Sequence, residues 1–516
     1  MFRNLSFEPV QLYSYRFYTL KYYSMPSFSS FSLLFLSVML LTTNGFGQNR
    51  PLTLHPENGH YFLFKDKTTV LVTSAEHYGA VLNREFDYVQ YLETLAAEGM
   101  NYTRIFAGSY FEIYGQSFGI SKNTLAPRGE FINVPWKSEE IGARRIYNTG
   151  EWNEAYFTRL RDFMRQAEEL DIIVEVTLFS SIYTDDHWEI NPQNPVNWKS
   201  GGAEMDRRDV HTMKNEAVFK MQQRYVERVV RELNEFNNLF FEIQNEPWSD
   251  RTVPVLNIVN KEELKENDWT NKADYADSES LTWQEAIAKT IQETESSLPK
   301  KHLIAQNYTN FKAPLRAVSD RISIINFHYA WPEAALWNYH YNKVIGFDES
   351  GFAGSDDEVY RRQAWRFMLS GGGLFNNLDY SFTVGNEDGK AENKAPGGGS
   401  TNLRSQLLIL RKFLESFPLE KMYPDPSVVA AAPGFLTYAL SNEEKTRFAG
   451  YIQAVGVDDG IITLSVPNGI YTISITSPLS GKGLMAEVLE VTDGKLQFPV
   501  KPDHGEAAMK VERFNQ

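Results

Sequence analysis

The chain of 516 residues contains no cysteine. That excludes a disulfide framework, a thiol nucleophile, a thiolate-ligated metal and a lipid anchor on cysteine. Long apolar runs are scarce too: the segment 31–41 is too short to span a bilayer. Positive charge is in deficit. With 51 Lys and Arg against 66 Asp and Glu, the net charge of −15 argues against nucleic acid or an anionic membrane surface as partner. There is no Gly-rich phosphate turn, internal repeat, low-complexity tract or coiled coil.

What is present describes a globular chain, 42% hydrophobic and 23% charged. Its length suits a large barrel with a smaller partner domain. Aromatic content of 14% is high, and surplus Trp and Tyr suit stacking on sugar rings, although most such residues pack cores. From Met25, a short polar lead, the apolar run and small residues up to Gly47-Gln48 read as a signal peptide. Residues 1–24 lack the form of such a leader, which makes Met25 the candidate start. Residues 1–47 are therefore expected to direct export to the periplasm or medium, with no membrane-spanning segment after cleavage. A membrane anchor is the weaker reading, since no stop-transfer flank follows.

Periodicity organises the rest. A hairpin is expected near Lys65-Asp66-Lys67. Apolar runs at 70–73, 102–106, 172–179, 239–244, 303–306, 322–327, 344–347 and 374–378 read as strands. Helical periodicity follows each, at 86–98, 152–170, 216–236, 281–298, 313–318 (weakly), 332–341, 356–369 and 403–417. Eight such units predict a (β/α)₈ barrel over 48–418, including the hairpin. A doubly wound open sheet also alternates in this way but calls for a phosphate turn. Helix-to-strand connections are short and strand-to-helix ones long, which places a site on one face. From 419 to 516, short alternating segments at 427–432, 435–440, 446–452, 461–465, 471–477 and 483–489, between turn signals, read as an all-β sandwich. The charged run Lys261–Asp268 reads as a solvated loop or helix face.

Chemistry concentrates at two strand ends. The run Leu239 to Gln244 stops at Asn245-Glu246-Pro247, because Pro247 cannot extend a ladder. A lone Asn-Glu-Pro is more simply a strand-end acid capping the next helix. A second carboxylate, Glu349, follows the seventh strand just before Gly351. Two carboxyls facing across a barrel mouth are what glycoside cleavage needs: one protonates the leaving oxygen, the other attacks or supports the anomeric centre.

This pairing resembles the signature of the retaining glycoside hydrolases of clan A, including family 5. The resemblance implies Glu246 as acid/base, Glu349 as nucleophile, and Asn245 as a partner for the substrate 2-hydroxyl. It also implies Arg104 as the arginine that keeps the nucleophile ionised, and His328 and Tyr329 as site residues, though the usual spacing leaves one residue between that pair. Glu246 would then need a raised pKa and Glu349 a depressed one. The sequence departs from the pattern after strand three, which reads Val176-Thr177-Leu178-Phe179-Ser180 without histidine. Strand eight reads Asn376-Asn377-Leu378-Asp379-Tyr380 without tryptophan. The front hairpin (Asn58-Gly59-His60-Tyr61-Phe62) and the segment from Asn468-Gly469-Ile470-Tyr471 to Pro478-Leu479-Ser480-Gly481 are similar to apiosidase-like barrels of Bacteroidetes.

Single residues carry plainer alternatives. Arg104 alone reads as an ion-paired surface arginine, and His77 is as well explained as a satisfied structural histidine as a sugar contact. Trp248, Trp331 and the pair His187-Trp188 are candidate stacking platforms or aromatics packing their own loops. Asp185-Asp186 reads as loop charge, because no metal-ligand spacing accompanies it. The expectation is a cofactor-free, metal-free, exported retaining β-glycosidase acting on an oligo- or polysaccharide, cellulase-like in its motifs. Two alternatives stand beside it: a non-catalytic carbohydrate-binding protein on the same barrel, and an apiosidase-like hydrolase whose acids are aspartates elsewhere. A protease reading lacks Cys, a His-Glu-x-x-His site and a serine motif.

Overall fold

The computed structural model describes residues 50–116, 119–142, 144–254, 273–392 and 397–514. The expected signal region and the run Lys261–Asp268 lie outside the described residues. Eight parallel strands form the barrel: β1 (Leu71–Ala75), β2 (Tyr102–Phe106), β3 (Ile173–Ser180), β4 (Leu239–Asn245), β5 (Ile304–Asn310), β6 (Ile324–His328), β7 (Val344–Ser350) and β8 (Leu374–Leu378). Neighbours in sequence pair in register from β2 through to β8, and β8 pairs with β1. At the remaining joint, β1 to β2, no ladder forms. Asn101 closes its lower end instead, accepting from the Val72 N–H at 3.0 Å and donating to the Val70 carbonyl at 2.8 Å. At the upper end the Phe106 N–H donates to the Tyr78 carbonyl.

Helices α1 (Tyr88–Ala97), α2 (Glu154–Glu169), α3 (Glu216–Leu233), α4 (Ser278–Ser296), α5 (Pro332–Asn338), α6 (Asp357–Met368) and α7 (Thr401–Glu415) surround the sheet. Side chains of Asp87, Asn215, Asp277, Asp356 and Ser400 cap five of them by accepting first-turn N–H bonds. The helix expected at 313–318 does not form, and that segment is irregular. Pro314 removes a donor there, the stretch is too short to nucleate, and Asn338 takes its backbone bonds at Leu315 N–H and the Ala313 carbonyl.

The barrel interior is layered by the two-residue period of its strands. The lowest layer is apolar, with Leu71, Tyr102, Ile173, Phe240, Ala305, Ile324, Val344 and Leu374. The front hairpin, Phe62–Phe64 against Lys67–Thr69 with Lys65 and Asp66 left-handed at its turn, plugs this end with Phe62 and Phe64. Two residues further along the strands the layer turns polar with Thr73, Arg104, Glu175, Glu242, Asn307, Asn326 and Asn376, all fully buried, and Asp348, two residues beyond Gly346, reaches Arg104 and Asn307 in it. Gly346 completes this layer because a Cβ there would stand 2.2 Å from the Asn326 side-chain oxygen.

The C-terminal part forms two antiparallel sheets of six and three strands around their own apolar core, a β-sandwich. Strands Lys495–Val500 and Glu506–Arg513 belong to it although no strand was expected after 489. The barrel and sandwich meet at Glu506, which is buried and accepts from Arg361 and Arg362 of α6 and from Tyr451.

Candidate active site

The C-terminal ends of the strands surround a cavity of about 390 Å³, with Glu246 and Glu349 both in its wall. Three pairs of consecutive residues stand at this end of the barrel, Asn245-Glu246, His328-Tyr329 and Asp348-Glu349; Asn245, Glu246, Tyr329 and Glu349 line the cavity, and His328 and Asp348 are fully buried beside them. A regular strand points neighbours to opposite faces. Each pair therefore needs a backbone irregularity to bring both side chains inward. Glu246 (φ 49) and Tyr329 (φ 52) are left-handed, as are Tyr78 (φ 62) and Phe352 (φ 56) in the same wall. In β7 the device is a bulge: Phe347 pairs with Phe327 and Glu349 with His328, leaving Asp348 as the extra residue. Non-glycine residues held at positive φ cluster where a fixed side-chain direction outweighs strain.

Hydrogen bonds tie the pairs together. The Tyr329 hydroxyl donates to Glu349 at 2.9 Å and reaches Glu246 at 3.3 Å, bridging the two carboxylates. Tyr183 donates to the other Glu246 oxygen at 2.9 Å and accepts from Asn245 at 2.7 Å. Tyr78 donates to Glu349 at 3.1 Å, and Arg104 Nη1 does so at 3.2 Å. Arg104 also donates to Asn245 at 2.8 Å and to Glu242, and lies 3.4 Å from Asp348. His328 Nδ1 stands 3.0 Å from Glu246, and its Nε2 stands 3.5 Å from Asp348. One oxygen each of Glu246 and Glu349 and a His328 nitrogen all lie within 4.8 Å of one another.

The electrostatics differ from the sequence expectation in one respect. Burial pushes Glu246 up, but bonds from His328, Tyr183 and Tyr329 outweigh it, and its pKa falls below the ordinary value. The raised pKa expected of Glu246 is thus corrected: the neighbouring His328 favours its ionised form. Burial works against charge on His328, yet the negative charges of Glu349 and Asp348 and the bond to Glu246 lift it well above an ordinary histidine. Asp348 is held down to about 2, against its burial, by His328 and Arg104.

Among the described residues, two clusters have donors close enough for a metal ion, Glu246/His328/Glu349 and Glu175/Glu242/Asp348. In the first, His328 Nδ1 lies 3.0 Å from Glu246, and its raised pKa opposes the neutral imidazole that a metal would need. In the second, the Arg104 guanidinium already lies among the carboxylates.

The structure thus brings Glu246, Glu349, Asn245, Arg104, His328 and Tyr329 into one network. His77 lines the cavity 3.7 Å from Glu112, and Trp248 lines it with its edge toward His328. Trp331 does not line it. Its ring is 37% exposed beside α5, with Lys312 Nζ 4.0 Å above it. Asp185, exposed, pairs with half-buried Arg207. Sequence reasoning missed Tyr78, Tyr183, Glu112 and the polar layer beneath. Tyr78 and Tyr183 sit in long loops without a motif. The layer did leave a signal, polar residues at every second position of otherwise apolar strands, as in Phe240-Phe241-Glu242-Ile243-Gln244.

A (β/α)₈ barrel with a C-terminal β-sandwich and a carboxylate pair at its mouth is the class these observations define. No protein-family model and no curated protein matches the chain. Solved structures do. A candidate glycoside hydrolase of Bacteroides vulgatus superposes with a TM-score of 0.61 at 12% identity, over 91% of this chain and 83% of that one. A family 5 glycoside hydrolase of the same species gives 0.55 at 12% identity, over 90% and 94%. A third, named only as a glycoside hydrolase, gives 0.53 at 12% identity, over 91% and 98%. At such identities the likeness is one of fold.

Proposed function

We propose that the chain is a retaining β-glycosidase in which Glu349 is the nucleophile and Glu246 the acid/base. The observation that carries this reading is the spacing of the two carboxylates, with oxygens within 4.8 Å and one phenol bridging them. Retaining enzymes need their carboxyl groups about 5 Å apart, while inverting ones leave room for a water between them. The names of the solved structures of like fold point the same way. The export expected from residues 1–47 would present the enzyme to extracellular glycans.

Charge placement gives each acid its part. Arg104 and Tyr78 hold Glu349 by one oxygen, leaving the other, on Tyr329, to attack the anomeric carbon. Glu246 and His328 together hold one transferable proton. As the glycosidic bond breaks, that proton passes from the pair, through Glu246, to the departing oxygen. Water deprotonated by Glu246 then attacks the glycosyl-Glu349 ester, and the sugar leaves with its anomeric configuration retained. Both acids face the cavity, which favours this reading over a purely binding barrel.

Hydrolysis of a panel of aryl β-glycosides and plant polysaccharides tests it. Glu349→Ala is expected to abolish turnover, and Glu246→Ala to regain turnover with azide as a β-glycosyl azide. Full activity in either variant would mean that the pair is misassigned.

A further inference from the structure

The cavity has two unlike ends. Lining residues from the loops after β1 and β2, His77, Tyr78, Glu112 and Leu125, are at most 6% exposed. Beyond Glu246, in the segment after β4, Ser249 and Thr252 are exposed and Asp274 is half-buried. The buried end lies on the Glu349 side, since Tyr78 donates to Glu349.

Its wall is stitched shut. The Glu76 carboxylate accepts from the Gly79 N–H at 3.1 Å, the Ala80 N–H at 3.2 Å and the Thr124 hydroxyl. Asn83 donates to the Thr124 carbonyl at 3.0 Å. Gly79 packs so tightly on this strip that a Cβ would stand 2.1 Å from the Thr124 carbonyl carbon. Glu112 in turn bonds the same strip, its N–H to the Leu125 carbonyl and its carboxylate from Asn123 at 2.8 Å. No glycan can continue through backbone joined in this way.

At the closed end, Glu112 and His77 face the cavity with Oε1 and Nε2 3.7 Å apart, and the cleavage chemistry uses neither. A carboxylate beside an imidazole N–H offers an acceptor and a donor, the pairing that reads sugar hydroxyls. Four carboxylates, Glu112, Glu246, Asp274 and Glu349, line the cavity, whereas no Lys or Arg does among the described residues. An anionic sugar would meet only like charge from the carboxylates there. The volume is at the low end for small-molecule sites.

We propose that the closed end is a terminal-sugar site, in which Glu112 and His77 hold hydroxyls of one uncharged, non-reducing-end sugar, so that the enzyme removes single units from chain ends. The inference rests on the retaining-glycosidase reading. It assigns the glycone to the Glu349 side and sends the leaving group out past Glu246 and Thr252.

The test compares 4-nitrophenyl β-glycosides of neutral monosaccharides, of the matching uronic acid and of the matching disaccharides, using the full chain. The wild type is expected to cleave a neutral monosaccharide glycoside and to leave the uronide intact. From the disaccharide glycoside it should release monosaccharide first, with nitrophenol after a lag. Glu112→Gln is expected to raise KM about tenfold or more with a smaller change in kcat. Direct release of intact disaccharide, early collapse of polysaccharide viscosity, or efficient uronide cleavage would overturn the terminal-sugar site while leaving the glycosidase reading standing. An unchanged KM in Glu112→Gln would remove Glu112 from it. Wild-type silence on every substrate would instead overturn the glycosidase reading itself, and this inference with it.

Discussion

On the proposed mechanism the chemistry turns on His328, whose raised pKa beside a Glu246 held low would let it supply the proton that Glu246 delivers. In its place asparagine would remove the charge and the bond that do most to hold Glu246 down, so Glu246 itself would take up the proton. We expect His328→Asn to lose about 10²-fold in kcat/KM and to move the alkaline limb of its pH profile toward acid. An unmoved limb would separate His328 from the proton. The same group links stability to pH: its raised pKa stabilises the fold fully below about 6.5, and this is lost as pH rises through the raised value. Asp348 acts oppositely, its share being lost as pH falls from about 3.8 toward about 2. Arg104 is the matching cation one layer down. Arg104→Met would leave Glu242, Asp348 and Glu349 without it, and we expect a loss of about 3–5 kcal/mol in denaturant unfolding. At this scale the sequence was legible where a residue stands at a strand's end, as Asn245, Glu246 and Glu349 do, whereas Arg104, in the middle of Tyr102–Phe106, was reached only through the family resemblance. It was illegible for Tyr78, Tyr183 and Glu112, whose positions depend on loops folding over one another.

Among elements, the alternation of strand and helix was readable because each unit buries its own apolar stripe, and all eight strands fall where the runs lie. The lost helix at 313–318 shows the opposite case, a weak local pattern overridden by Asn338. Irregularities were hidden as well. Nothing in Phe347-Asp348-Glu349 announces a bulge, yet without it Asp348 and Glu349 could not both face Arg104. The β1–β2 joint depends similarly on one side chain. Asn101→Ala would orphan the Val72 N–H and the Val70 carbonyl. We expect about 2–3 kcal/mol of destabilisation, seen as a lower denaturation midpoint with activity at 25 °C retained, since Asn101 lies at the far end of the barrel from the cavity.

For the whole molecule, the question is what couples barrel to sandwich. Glu506 is buried and gathers Arg361, Arg362 and Tyr451, so it joins the two across their boundary. Glu506→Ala would strand Arg361, itself 3% exposed. We expect about 3 kcal/mol of destabilisation and thermal unfolding that splits into two transitions, with cleavage of a small aryl glycoside persisting up to the first. A single unshifted transition would show that other contacts carry the coupling. The sandwich was legible as a class from its turn spacing. Its last two strands were not, because Lys495–Val500 contains a proline and Glu506–Arg513 follows the turn at His504-Gly505.

The open joint of the barrel reaches further than stability. Loops closing the blind end of the cavity spring from β1 and β2, the one neighbouring pair in the barrel without a shared ladder. Seven joints would have to tear a ladder of backbone bonds to gape, whereas this one would release the two Asn101 bonds below and the single Phe106–Tyr78 backbone bond above. Amide exchange should therefore be fastest, among the barrel strands, along the facing edges of Leu71–Ala75 and Tyr102–Phe106. The wall proposed to read the end of a glycan would then also be the part of the barrel that breathes.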